Sequence, residues 1–381
     1  MSYALTNGLI YVCFAIIFGG SILALIPNVL KVEVTLSRKT LVMAGALVPV
    51  LAVVPVLILT GNVNKYQDYG VVSSFLFVVQ EIETGRAWTV LLVFSILYII
   101  IMAFVKNRVA VYTAGLFLAV GMVLTQSIVG HAANMASYPG ALSHTVHMAA
   151  VSCWAGILLV VSWFSKNDDN WQAFIDWFTF IAIGCIFMLS FTGLFMSFTL
   201  TDGIVQSWVM PYGQALLIKH LFFLILLLFA FINGFLIRKK VKQSYTFSPR
   251  KWWKAESVIV LAVFGLTGFM SETEPPHNAV QTMSNEDSSI LFRTFASVDA
   301  GNDIYLSPDL MSVFFFLISF LFIVLTILLF SNRNSAGGAL LMSVLAVFSL
   351  YIGLMSSLES DEVNTAENVY SVLVHALKIV A

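Results

Sequence analysis

Charge is scarce in this sequence. It has 19 Lys and Arg and 20 Asp and Glu in 381 residues, or 10%. Soluble domains carry about 25% charged residues, so an ordinary aqueous fold and a disordered chain are both excluded. The net charge of −1 offers no bulk field to recruit nucleic acid. Cysteine is nearly absent. Cys13, Cys153 and Cys185 are too few and too far apart for a disulfide framework, and all three lie in apolar runs. There is no G-x-x-x-x-G-K-[ST] phosphate loop. G-x-S-x-G and H-E-x-x-H are also missing. ATP-driven pumping and intramembrane hydrolysis therefore lack their usual signatures, and the chain is expected not to be an enzyme. The N-terminus has neither a basic stretch before its first apolar run nor an A-x-A-like site after it, so it reads as a retained helix.

What is abundant is apolar surface, 59% of residues. A hydrocarbon core of about 30 Å is crossed by about 20 apolar helical residues. Ten such runs are present, at 9–30, 41–60, 87–105, 109–129, 141–164, 174–200, 212–237, 253–270, 310–330 and 337–355. The expected fold is an all-α, polytopic transmembrane helix bundle of about ten spans. Lys and Arg set its orientation, because they resist translocation. The loops after the odd spans hold fourteen of them, and the even loops and tail hold four: Lys65, Arg86, Arg293 and Lys378. Both termini are therefore expected outside. The acidic loop after span 8, with Glu272, Glu274, Glu286, Asp287, Asp299, Asp303 and Asp309, agrees. Segments 71–80 and 366–380 are apolar but too short to span, and read as interfacial helices.

Polar and soft side chains inside a membrane are costly and often functional. In this orientation all six histidines fall in the outer half or beyond it. His131 is expected to end span 4, His144 and His147 to open span 5 on one helix face, and His220 to lie two turns into span 7. His277 and His375 follow outside. Neutral imidazole is a good ligand for copper, zinc and iron. The competing reading is that these are interfacial histidines bonded to water or backbone.

Sulfur continues the series inward. Span 6 carries Cys185, Met188, Thr192 and Met196 along one stripe, and Cys153 of span 5 falls at the depth of Cys185. Thiolate and thioether select Cu(I), although Met and Cys are also ordinary packing residues; Cys13 is read as packing. Lys219 places an ammonium about 10 Å below the outer end of span 7 by helical rise. It is expected to snorkel, to pair with Asp202 or Glu272, or to bind an anion. A fixed positive charge argues against a cation passing that spot.

Taken in order, these residues resemble the CopD family of bacterial copper-resistance and copper-uptake membrane proteins, the YcnJ and PcoD group. Thr84-Gly85-Arg86-Ala87-Trp88 is similar to its G-[RK]-x-W segment, and Gly130-His131-Ala132-Ala133 to its G-H-A-A segment. The stretch from His147 to Gly156 resembles its H-x₆-W-x-G helix start. Tyr212-Gly213, Leu217-Ile218-Lys219 and Asn233 resemble Y-G-x₃-L-x-K…N. Glu256 with Pro275-Pro276 resembles the closing helix. The family's Asn is usually followed by Arg, where Gly234 stands here. The resemblance covers 9–277 and implies a copper role for His131 and His147. It implies a structural or electrostatic role for Lys219, Trp154 and Asn233. It also implies a separate extracytoplasmic CopC-like chaperone as partner, since no such domain precedes span 1.

The expected organisation is a CopD-like membrane domain at 1–277, an acidic loop at 278–309, and two further spans with an outer tail at 310–381. The expected function is a copper permease of the bacterial cytoplasmic membrane. Copper would bind His131, His144, His147 and His220, then pass to Met196, Met188, Cys153 and Cys185. One alternative is a b-type haem electron-transfer protein with axial histidines. Another is a non-transporting scaffold or metallochaperone receptor that docks partners on 271–309.

Overall fold

The computed structural model describes residues 2–360 apart from 68–69, 168, 202, 244–246, 248, 274, 276–287, 297, 299–302 and 334. The expected tail helix at 366–380, His277, His375, Asp202 and much of the 271–309 surface lie outside the described residues.

Among the described residues ten helices are long and apolar enough to cross a membrane. Spans 1 to 5 are Tyr3–Leu25, Arg38–Gln67, Glu83–Phe104, Arg108–Ile128 and His131–Phe164. Spans 6 to 10 are Trp171–Leu200, Pro211–Val241, Arg250–Met270, Leu310–Ser331 and Ala336–Ser356. The protein is an all-α, multi-pass membrane bundle. The segment at 71–80 is the short apolar helix Val71–Glu81.

The ends follow local chemistry. Span 1 starts earlier than expected and stops at Leu25 rather than near residue 30, because Pro27 drives Ile26 out of the helical region. Ser37 accepts from the Thr40 amide, Asn107 from Ala110, Asp309 from Ser312 and Ser335 from Gly338, so four starts carry a side-chain cap. Span 2 breaks between Leu51 and Val54. Pro55 lacks an N–H to continue the ladder there, and Trp88 Nε1 donates to the Pro49 carbonyl at 2.9 Å.

Span 1 is the axis of the bundle, packed against spans 2, 4, 5 and 8. Its approach to two of them depends on glycine. A Cβ on Gly19 would collide with the backbone of Gly156 in span 5. One on Gly268 of span 8 would collide with the Ala4 carbonyl. In lipid no hydrophobic force drives helices together, so close backbone contact through small residues supplies much of the association. Spans 2 to 4 close one flank over Phe14, Ile17, Tyr98 and Met122. Trp171, Phe174, Phe178 and Trp253 pack ring against ring between spans 6 and 8. Spans 9 and 10 form a hairpin joined to the body through span 10, where Tyr351 Oη donates to Gln214 Oε1 of span 7 at 2.7 Å. Two short antiparallel strands, Ile304–Leu306 and Leu358–Ser360, tie the loop after span 8 to the end of span 10.

The end of the bundle where odd spans finish is its basic end. Its cations cap helix carbonyls. Arg38 donates to Ile101 and Val105, Arg108 to Ala24, Lys31 to Leu23 and Lys240 to Phe330. Two ion pairs join them, Arg238 with Asp176 at 2.6 Å and Lys166 with Glu33 at 3.1 Å. The opposite end holds His131, His144, His147 and His220.

Candidate functional site

Span 5 is built in two pieces, and its break places the first histidine. Span 4 stops at Ile128, and the next helix begins at His131 after an extended Gly130. His131 therefore opens span 5 and does not close span 4, as its sequence neighbours suggested. The helix breaks again at Ala136 and Ser137, where Ser137 has φ 48° and ψ −127°. A residue with a Cβ is strained there. The short first piece packs back on the second, with Gly140 so close to the Ala132 carbonyl that no Cβ would fit.

The result is a cavity of about 740 Å³ at the histidine end, among spans 1 to 8. It is lined by His131, His144, His147 and His220, with Met196, Lys219 and Trp154. At ~30 Å³ per water this space suits a vestibule of about twenty-five waters, not a single-ion cage. Consistently, among the described residues no three His, Cys, Asp or Glu side chains converge as a ready metal-binding group.

The imidazoles are held differently. Thr192 Oγ1 of span 6 donates to the Met188 carbonyl at 2.6 Å, and His147 Nδ1 lies 3.0 Å from the same hydroxyl oxygen. With the hydroxyl proton on that carbonyl, the matching role for His147 is to donate from Nδ1. The tautomer protonated at Nδ1 satisfies both contacts and leaves the Nε2 lone pair as the ligand atom. His144 Nδ1 is buried with no hydrogen-bond partner among the described residues. Such an orphan is an opening for a bound ion or water. The His220 ring bonds the Leu216 backbone and is the most exposed of the four.

Lys219 lies among them, close enough to act electrostatically on His144, His147 and His220. It has no ion pair among the described residues. Glu272, one of its two expected partners, instead accepts from the Ala4 amide at 2.7 Å. That bond holds the Glu272 carboxyl below its ordinary range.

The sulfur atoms divide. Met196 lines the vestibule, and so do Met148 and Met270, which the sequence reading did not single out. Met148 adjoins His147 in sequence, which was the available signal; Met270, at the end of span 8, gave none. Met188 does not line the cavity and is 46% exposed on the bundle's surface. Cys153 and Cys185 meet, with their thiols within hydrogen-bonding reach and Cys185 against the Trp154 backbone. They stand beside the floor of the vestibule and not in its wall. Cys13 is buried in the flank core, as expected of a packing residue.

Trp154, 2% exposed, is that floor. It also lines a second cavity of about 160 Å³ on the far side, with Thr179, Asn233, Trp253 and Glu256. There Asn233 Nδ2 donates to the Glu256 carboxyl.

Comparison with known proteins agrees with this architecture. Residues 2–141 match the copper resistance protein D-like N-terminal domain, and residues 172–270 match copper resistance protein D. Over 242 residues the chain is 24% identical to the copper transport protein CutJ of Bacillus subtilis strain 168, covering 59% of this chain and 44% of that protein. The chain thus spans less than half the length of this relative. No solved structure matches it, and nothing among these relatives speaks for haem. Vestibule, floor and the helices that carry them lie within the matched segments or in the span 5 that joins them, and the chain belongs to the copper resistance protein D family.

Proposed function

We propose that the protein conducts copper across the cytoplasmic membrane of a bacterium, with the histidine end outside and the basic end inside. The observation that carries this reading is that four histidines line one cavity in a chain of this family. The orientation rests on the distribution of Lys and Arg.

Copper enters the vestibule and meets His131, His144, His147 and His220, with Met196, Met148 and Met270 as soft ligands nearby. His147 offers Nε2, since Thr192 occupies Nδ1. Separated donors suit conduction, because one tight cage would trap the ion. Lys219 acts in the same sense: its charge weakens cation binding, so the ion stays exchangeable. The paired thiols of Cys153 and Cys185, beside the floor and outside the vestibule wall, receive the cargo once it has left the cavity. A CopC-like chaperone delivers copper at the histidine end.

Copper uptake into vesicles that hold the reconstituted protein tests this. The His131→Ala, His147→Ala double variant should lose most of the flux and bind fewer copper ions per chain. Unchanged flux and stoichiometry in that variant would remove the vestibule from the pathway.

A further inference from the structure

The second cavity has chemistry of its own. It lies about 21 Å along span 7 from Lys219 to Asn233 by helical rise, on the basic side of Trp154. Glu256 is 2% exposed and Asn233 is 2% exposed, so a carboxyl and an amide are both buried in apolar helices. An intramembrane carboxyl without a cationic partner is costly, and here its side-chain partner is the neutral Asn233. The remaining lining from spans 5, 6, 7 and 8 is Trp154, Thr179, Trp253 and apolar side chains, none of which ionises near neutral pH.

Two further atoms are left over. Among the described residues Asn233 Oδ1 is a buried acceptor with no partner, and Trp253 Nε1 is a buried donor with no partner. Both residues line the same cavity. Buried polar groups are almost always satisfied, and an exception marks an absent water or ion or a functional site. Asn233 also sits in a π-helical turn, Ile232–Ile237. Such turns are rare and concentrate at functional sites. A cavity of about 160 Å³ with a carboxyl, an orphan acceptor and an orphan donor is large and polar enough for ordered water.

We propose that Glu256, oriented by Asn233, is an exchangeable proton-binding site in the basic half of the membrane domain, separated from the histidine vestibule by Trp154. The carboxylate takes up one proton from water in the cavity and returns it to that water, with no other bond made or broken. In the carboxylate state Asn233 Nδ2 supports the charge; in the acid state the proton is donated to cavity water. The inference does not require the copper reading. If both hold, the same bundle carries a cation vestibule and a proton site stacked on either side of one tryptophan.

Infrared difference spectra of the purified full chain in lipid, recorded between acid and alkaline buffer, read the site directly. A carbonyl band of a protonated carboxylic acid should grow on acidification, shift in D2O, and vanish in Glu256→Gln. Asn233→Ala removes the donor that favours the carboxylate, so the same band should persist to higher pH. It also keeps the test available if Glu256→Gln does not fold. A band that is present but invariant with pH and unmoved by D2O would make Glu256 a fixed structural acid and overturn the proposal, as would titration unaffected by Asn233→Ala. Copper stoichiometry of the Glu256→Gln protein should equal that of the parent. A parent that binds no copper would end the transport reading while leaving the infrared result to stand or fall alone.

Discussion

His147 shows how one hydroxyl determines what an imidazole does. Thr192 gives its proton to a helix carbonyl and its lone pair to Nδ1, so Nε2 is the atom presented to cargo. Thr192→Val removes this orienting bond while nearly keeping the shape. It should weaken copper binding about 10–100-fold, as loss of such supporting contacts commonly does, and a chelator-competition titration reads it. Lys219→Met should act oppositely. A like charge ~6 Å away at an effective dielectric near 20 costs a monovalent cation about 3 kcal/mol, so its removal should tighten cation binding on the order of a hundredfold, and slower flux should accompany the tighter site. These two residues differ in legibility. Lys219 was visible in the sequence as a lone ammonium in an apolar run. The Thr192 contact joins two spans, and its partner was not predictable from spacing. Met188 and Met196 sit two turns apart on span 6 and looked equivalent. The structure separates them, because one faces the cavity and the other the bundle's exterior.

At the scale of elements, span 5 and its neighbours decide the site. The strained Ser137 lets the His131 turn fold back on the main helix. Ser137→Gly should relieve strain, stabilising the protein by roughly 1 kcal/mol net after the entropic cost of glycine. It should also loosen His131, so thermal stability rises while copper affinity falls. The Gly19–Gly156 contact is different in kind, because backbone meets backbone there. Gly156→Leu should cost roughly 1–3 kcal/mol or more, read as a lower melting temperature in detergent. Spans 1 and 8 are also clamped at the histidine end, where Glu272 accepts from the Ala4 amide and Asn7 donates to Ser271. Glu272 has a depressed folded pKa, so its contribution is complete above the unfolded value of about 4.3 and is lost as pH falls through the lower folded value. The protection factor of the Ala4 amide, its exchange rate corrected for the intrinsic pH dependence, should fall on acidification in the parent and show no such step in Glu272→Gln. All ten spans were legible as apolar runs. Their ends and breaks were not, because these depend on particular residues: Pro27 in span 1, Pro55 and Trp88 at span 2, and Gly130 with Ser137 around span 5.

The whole molecule combines two gradients. Cations gather at one end, where they cap the carbonyls of spans 1, 3 and 9, and imidazoles gather at the other around an open vestibule. The clustering of histidines was readable from helix depth alone. The vestibule was not, because it is made by eight spans whose mutual packing no local pattern encodes. Spans 9 and 10, which lie beyond the matched family segments, attach through Tyr351 and Gln214 and line neither cavity. The central claim is that copper is bound by imidazole in this vestibule. Copper-edge X-ray absorption on the copper-loaded protein addresses it most directly. The parent should show nitrogen neighbours with the outer-shell scattering of imidazole rings, and the His131→Ala, His147→Ala variant should lose most of that signal together with its copper. An identical spectrum and an identical copper content in the two proteins would contradict the account.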